Sequence, residues 1–561
     1  MGPPDRAGRP VRILQRFLLT LRDREERLRR VLEVSRSVQD VRLIPGMLAL
    51  WAVSAAVTWR SFPHVLALGA VGGALTTVLL AVQRTRREPD RSRGGFLNTA
   101  LLSSVILVLG SALGLIRLMD PVGSSVIAAA DAGAVRTVEL VVTGPAEPSE
   151  PEQSPAEGDR CGQGCMATAV LQRIGDRGVS NPVVAQIRLR CSTACPHDTL
   201  AVGTRLEALV RLSRKPERPG RLEGTVLRAP LVLQAPSRLE SFLGGIRTSF
   251  LQRSAAIPGE PGSLLEGMVL GERSRNGPGF IAVMTSTGLT HLTAVSGANC
   301  SIVFAAILLG ARSLSLPRVP AAAAGLAGLG AFVILIGPDS SVLRAAVMSA
   351  AALGVLAGGH GARGIPLLCV SASCLLLTEP ALSLDPGFAL SVTATGGIVL
   401  AGRPMARLLS RIMPYGPALM LAIPLVAQTA CSPLLVLLQP QLTPYAVPAN
   451  LLAAPLVAPV TLLGMGALLL LPVSTVLGEM LFVPASWCTT AIWGIARSLA
   501  ELPGAVLDWP PGPWGMATMA SLGVLECAIL WALAHPGKVA AAYRWLHRSL
   551  ARNPRRGALR S

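Results

Sequence analysis

Between Thr287 and Cys300 the chain reads Thr-Gly-Leu-Thr-His-Leu-Thr-Ala-Val-Ser-Gly-Ala-Asn-Cys, at the entrance to a long apolar region. Four side chains there are able to do chemistry: Thr290, His291, Ser296 and Asn299. Further on, within apolar runs or at their borders, stand Arg344, Asp385, Gln428 and Asn450. Most of this set are neutral donors and acceptors. Such groups sit at membrane depth where they face protein or a wet cavity. Neutral donors contact a charged, sliding solute without trapping it, as a conducting pathway requires. The same residues have plainer readings. The 287–300 stretch reads equally as an interfacial loop capped by His291. Asp385-Pro386 fits a helix N-terminus. Gln428 and Asn450 fit interhelical hydrogen bonds. Arg344 fits phosphate binding, snorkelling to headgroups or pairing with Asp385. Ser296 or Ser391 with a histidine base would suit a hydrolase, but no second signal supports that geometry. No enzymatic activity, metal or cofactor is expected.

The elements that must position these groups are membrane helices. Of 561 residues 51% are hydrophobic and only 15% charged, against about a quarter charged in soluble domains. Apolar runs of spanning length recur, so the fold class is a polytopic α-helical membrane protein with a small extracytoplasmic β domain. The net charge of +19 is almost entirely arginine, and in a membrane protein this marks cytoplasmic loops first. Residues 1–43 form a basic arm, and no cleavable signal peptide is read there. Runs at Ile44–Trp59, Val65–Val82 and Leu97–Leu118 give three helices within 44–118. The last has 22 residues, about 33 Å at 1.5 Å each, long enough to cross. Alternating basic and acidic loops in 299–535 give about nine further crossings, about twelve in all, with Asn450–Pro459 expected to be re-entrant or broken at Pro455 and Pro459. The basic tail 536–561 returns to the cytoplasm. A multi-pass plasma-membrane protein with both termini cytoplasmic is expected.

Residues 119–236 differ in texture. Short β-rich runs at Arg136–Val142, Val183–Leu189, Ala201–Val210 and Gly224–Leu233 predict a small barrel or sandwich. Four of the ten cysteines fall here: Cys161, Cys165, Cys191 and Cys195. Outside the cytoplasm they suggest disulfides, with zinc as the rival. Arg205, Arg211, Arg214, Lys215 and Arg218 belong to a basic strip that would steer a phosphate backbone or simply be solvated. Over 237–298, Leu239, Phe242, Leu243, Ile246 and Phe250 share one helical face, with Arg238, Arg247 and Arg253 away from it, as in a helix lying along a membrane surface.

Five stretches then fall in order: Leu270-Gly-Glu-Arg-Ser274, Thr287-Gly-Leu-Thr-His-Leu-Thr-Ala-Val-Ser-Gly297, Ser341-Val-Leu-Arg-Ala-Ala-Val-Met348, Asp385-Pro-Gly-Phe-Ala-Leu-Ser391 and Pro448-Ala-Asn-Leu-Leu-Ala-Ala-Pro-Leu456. In this order they resemble the ComEC competence-protein family over roughly Leu239 to Leu533. The resemblance implies an inner-membrane channel for single-stranded DNA in natural transformation, with an outward OB-like domain. It implies partners: single-stranded DNA, membrane lipid, a DNA receptor, a separate nuclease and a cytoplasmic motor. Two departures stand out. Asn299 replaces a histidine common in the family, keeping polarity but losing a titrating group. The metallo-β-lactamase-like domain of many members is not read before Ser561, and the six histidines are widely separated, so nuclease activity is not expected. A small-solute secondary transporter and a non-conducting scaffold remain the rival functions; an ion-coupling carboxylate such as Glu479 or Glu526 would mark the first.

Overall fold

A computed structural model of the chain describes residues 41–59, 61–85, 91–119, 126, 128–148, 165–175, 177–189, 201–214, 222–228, 230–295, 297–337, 342–343, 346–350 and 364–537. The first membrane unit comprises α1 (Ile44–Thr58), α2 (Phe62–Thr85) and α3 (Arg91–Leu118). Small residues let these backbones approach, as is usual where hydrocarbon tails compete with side chains for the same contacts. Gly110 of α3 faces Leu50 of α1, and a Cβ there would lie 2.8 Å from Leu50 Cδ1. Thr76 and Ser104 join α2 to α3 through their hydroxyls at 2.8 Å. Trp51 fastens α1 to the second membrane region. Its Nε1 donates to Ser383 O at 2.9 Å, and its ring lies 5.0 Å from that of Phe388.

The β region has six strands: β1 (Val135–Pro148), β2 (Cys165–Ile174), β3 (Arg177–Leu189), β4 (Arg205–Arg214), β5 (Leu222–Val226) and β6 (Leu231–Gln234). Their order is β1-β2-β3-β5-β4-β6, and β1 also pairs with β4. The first five therefore close into a barrel, with β3 and β5 parallel and the other pairs antiparallel. Closure removes the exposed edges that an open sheet would leave. Val138, Leu140 and Val142 of β1 alternate inward with Leu206, Ala208, Val210 and Leu212 of β4, the period-two pattern of a sheet with one buried face. The expected run Gly224–Leu233 divides into β5 and β6. β2 was absent from the sequence reading. Its inward residues are largely alanines (Ala167, Ala169) beside Leu171, a weak hydrophobic signal. Cys165 lies in β2. The side chains of all four candidate disulfide cysteines fall outside the described residues, as does the Gly144–Asp159 loop beyond Pro148.

The second membrane region runs through α4 (Arg238–Ala255), α5 (Pro261–Leu270), α6 (Pro278–Ser286), α7 (Gly297–Ser313), α8 (Arg318–Ile336), α9 (Gly364–Thr378), α10 (Pro386–Gly397), α11 (Arg403–Leu409), α12 (Tyr415–Leu438), α13 (Ala446–Leu470), α14 (Thr475–Ala500) and α15 (Gly512–Ala534). Seven helices among the described residues are long and apolar enough to cross a membrane, and three shorter apolar helices accompany them. The chain is polytopic. Of the two other expected crossings, one lies largely outside the described residues. At the position of the other, α10 and α11 are joined through a π turn at Ile398–Gly402.

One expectation is corrected. Asn450–Pro459 is neither re-entrant nor broken: α13 continues through both prolines. Proline is tolerated in a membrane helix when neighbours satisfy the freed backbone. The irregular backbone lies instead at the 3₁₀ turns Thr290–Thr293 and Pro380–Leu384 and at the π turn. Two arginines of α4 find partners on other helices. Arg247 Nε donates to Leu335 O at 2.6 Å, near the C-terminus of α8, where a cation complements the helix dipole. Arg253 pairs with Glu479 of α14. α4 starts with a reciprocal capping box between Ser237 and Glu240. It buries Ile246 and Phe250 while leaving Leu239 and Phe242 exposed.

Candidate functional site

α5 is the fixed post of the site. All ten of its residues are buried. Gly267 presses on the turn that follows α6: a Cβ there would stand 2.5 Å from Thr293 O. The helix stops at Gly271 in the left-handed conformation, which glycine adopts without steric cost. α6 starts on Pro278 and ends at Thr287. The chain then reverses at Gly288, with φ +66°, where a Cβ would lie 2.6 Å from Cβ of Ala446. Only glycine satisfies both conditions. Asn450 Nδ2 donates to Ala446 O at 2.8 Å and lies 3.5 Å from Gly288 O, tying this turn to α13. Thr293 donates to Thr290 O at 2.8 Å, and the Thr285 and Thr290 hydroxyls lie 3.3 Å apart.

This turn forms one side of a cavity of about 2960 Å³ between the helices. Thr290, His291, Asp385, Gln428 and Asn450 all line it. Five of the eight residues chosen from sequence thus converge on one space. Thr290 and His291 are exposed to it, and the other three are half-buried. Asp385 caps α10, with Gly387 N donating to its Oδ1 at 3.2 Å. Along α12 the lining runs from Leu438 to Met420. The eighteen steps between them, at about 1.5 Å each, give about 27 Å, close to the thickness of a hydrocarbon core. At the barrel end Thr143, Thr168, Val170, Ala201 and Val202 join the wall, so the space continues from barrel to membrane helices.

The remaining three residues do not join them. Asn299 is 2% exposed and donates from Nδ2 to Met268 O at 3.1 Å. It is a buried link between α7 and α5, because burial obliges an amide to find a partner. Ser296 and Arg344 lie outside the described residues. On the barrel, Arg205 and Arg211 are exposed and, six apart on β4, share one face. The Arg214 side chain, Lys215 and Arg218 lie outside the described residues.

Sequence reading missed the charge distribution at the cavity. The described lining carries Arg247 and Arg273 against Glu240, Glu272, Glu379 and Asp385. Burial pushes the Arg247 guanidinium below its ordinary pKa, and the nearby Glu272 carboxylate opposes that shift. Glu266 was also missed. It is 1% exposed and holds Ser254 Oγ and Arg275 Nη1, each at 2.5 Å. A lone glutamate within the apolar Leu264-Leu-Glu-Gly-Met268 is the signal that marked it. It lies off the cavity and fastens α4 and the loop after α5 to α5. Glu479 is paired with Arg253, and Glu526 accepts from Thr429 at 3.2 Å.

Fold and site define a polytopic helical membrane protein whose interrupted helices surround a polar-mouthed cavity. Residues 268–534 match the family described as "Competence protein", and the resemblance drawn from motif order holds over that segment. The chain is similar to ComE operon protein 3 of Bacillus subtilis (strain 168), 26% identical over 250 residues. That similarity covers 44% of this chain and 31% of the relative. No solved structure matches.

Proposed function

We propose that this chain is an inner-membrane channel through which single-stranded DNA enters a cell during competence. The observation that carries the reading is the convergence of Thr290, His291, Asp385, Gln428 and Asn450 on one cavity. A phosphate backbone needs a path that is not hydrocarbon, and hydroxyl and amide groups supply one. Carboxylates outnumber guanidinium groups along the described lining, so the cavity does not trap a polyanion. Attraction falls to the barrel. Its closed order β1-β2-β3-β5-β4 fits an OB-fold, a barrel that binds oligonucleotides across one face. Arg205 and Arg211 would meet the backbone there. No chemistry on DNA is assigned to this chain; a separate nuclease, a receptor and a motor complete the proposal.

The test is entry of fluorescently labelled DNA into the cytoplasm of a transformable host carrying this gene as its sole copy. Deletion should abolish cytoplasmic label while surface label persists. Equal cytoplasmic label in the deletion strain would remove the channel reading. Uptake of a small solute that fails without the gene, with DNA entry intact, would favour the transporter.

A further inference from the structure

The cavity wall is amphiphilic along its length. All six charged residues described on it, Arg247, Arg273, Glu240, Glu272, Glu379 and Asp385, belong to α4 or to connecting segments and helix caps. None lies in a helix long and apolar enough to cross a membrane. Deeper in, apolar residues predominate: Leu390, Ile398, Met420, Ile423, Ala427 and Val457 stand with the fewer polar groups Ser391, Gln428 and Ser432. Met420 and Ile423 are 51% and 40% exposed although they sit in a spanning helix. Both also line the cavity, so part of the wall inside a spanning helix is exposed apolar surface. Water against such surface is unfavourable, and acyl chains suit it.

We propose that this cavity binds a phospholipid, with its acyl chains along the α10–α12–α13 wall and its headgroup at the charged mouth. The mouth specifies the headgroup class. Guanidinium groups at Arg247 and Arg273 suit the phosphate, and carboxylates suit an ammonium. A zwitterionic ethanolamine headgroup satisfies both signs, whereas a purely anionic headgroup meets four carboxylates. A bound lipid would fill the cavity and keep ions and water out of it. This inference needs only the cavity, and it stands whether or not DNA is the cargo.

The full chain, purified in detergent and exchanged into a second detergent, would be weighed by native mass spectrometry after incubation with vesicles of equal phosphatidylethanolamine and phosphatidylglycerol. About one phospholipid per chain should be retained, predominantly phosphatidylethanolamine. Ala427→Trp, which fills the hydrocarbon part, should cut retention at least fivefold. Val524→Ala, on the exposed face of α15, should leave it unchanged. If Ala427→Trp does not fold, benzoylphenylalanine at position 390 should acquire the mass of a phospholipid on illumination. No retained phospholipid, detergent or free fatty acid alone, preferential phosphatidylglycerol, undiminished retention in folded Ala427→Trp, or no photo-adduct at position 390 would each overturn the proposal.

Discussion

The two walls of the cavity are built differently. The wall of α5, the Gly288 turn and the start of α13 is held by close backbone approach: Gly267 on Thr293, Gly288 on Ala446, Asn299 on the Met268 carbonyl. The wall of α10, the π turn and α12 also has a close approach, Gly397 on Ala430 Cβ, but it is against a side chain between two helices and not at a left-handed turn. Its residues are mostly half-buried, and α12 carries Pro424 and Pro433. Prolines and π turns remove or re-route backbone hydrogen bonds and mark places where a helix bends. Contacts between backbones cannot relax without moving whole elements, whereas half-buried side chains can change rotamer. The first wall is therefore the fixed jaw, and any widening of the cavity falls to the second.

The strongest challenge to this asymmetry is at the base of the fixed jaw. Glu266→Ala takes from Ser254 its carboxylate partner, leaving it Leu251 O at 3.0 Å, and leaves Arg275 without its counter-ion. Breaking a buried pair costs about 3–5 kcal/mol; the lower end applies because Arg275 keeps 37% of its side chain exposed. Thermal unfolding in detergent should show a large loss, and Glu266→Leu with Arg275→Met should recover much of it. Next comes a matched pair of glycines. Gly288→Ala forces a side chain into a left-handed backbone and onto Ala446, costing about 2 kcal/mol. DNA uptake should drop about tenfold. Gly397→Ala in α10 also starts close, 2.8 Å from Ala430 Cβ. It gains up to about 1 kcal/mol of helix propensity, and the second wall can shift, so stability should change little. Equal losses at both positions would erase the distinction between the walls.

Much of this architecture was legible from residue pattern. Apolar runs located α1 to α3 because hydrocarbon thickness imposes a length. The glycines, hydroxyls and histidine of 287–295 marked the turn because polar irregular backbone needs a reason to sit beside apolar helices. What failed was partner assignment. Asn299 and Asn450 are the same residue type in similar settings, yet one is sealed against Met268 and the other reaches the cavity; only packing decides. Arg247 was placed only off the apolar face of its helix, because its partner, the Leu335 carbonyl, is 88 residues away. The prolines of α13 read as a break because the sequence does not show which neighbours satisfy a freed carbonyl.

Smaller effects separate transport from folding. Gln428→Leu removes a cavity-facing amide from the second wall and should leave unfolding within about 0.5 kcal/mol of the unsubstituted chain. Uptake should still fall several-fold, because the pathway loses a donor and gains hydrocarbon. Uptake that follows stability instead would demote Gln428 to a packing residue.

The weakest expected effect lies on the barrel. Arg205→Gln with Arg211→Gln touches exposed side chains of β4, so folding should be unaffected. The full chain in nanodiscs would be titrated with a labelled single-stranded oligonucleotide at several salt concentrations. Each phosphate contact on a single strand contributes about 0.7 to the slope of log affinity against log salt. Removing two should flatten that slope by about 1.4 while sparing any base-stacking component. An unchanged slope would make these arginines an ordinary solvated face. Attraction of the strand would then have to come from elsewhere, because the described cavity lining, with more carboxylates than guanidinium groups, does not supply it.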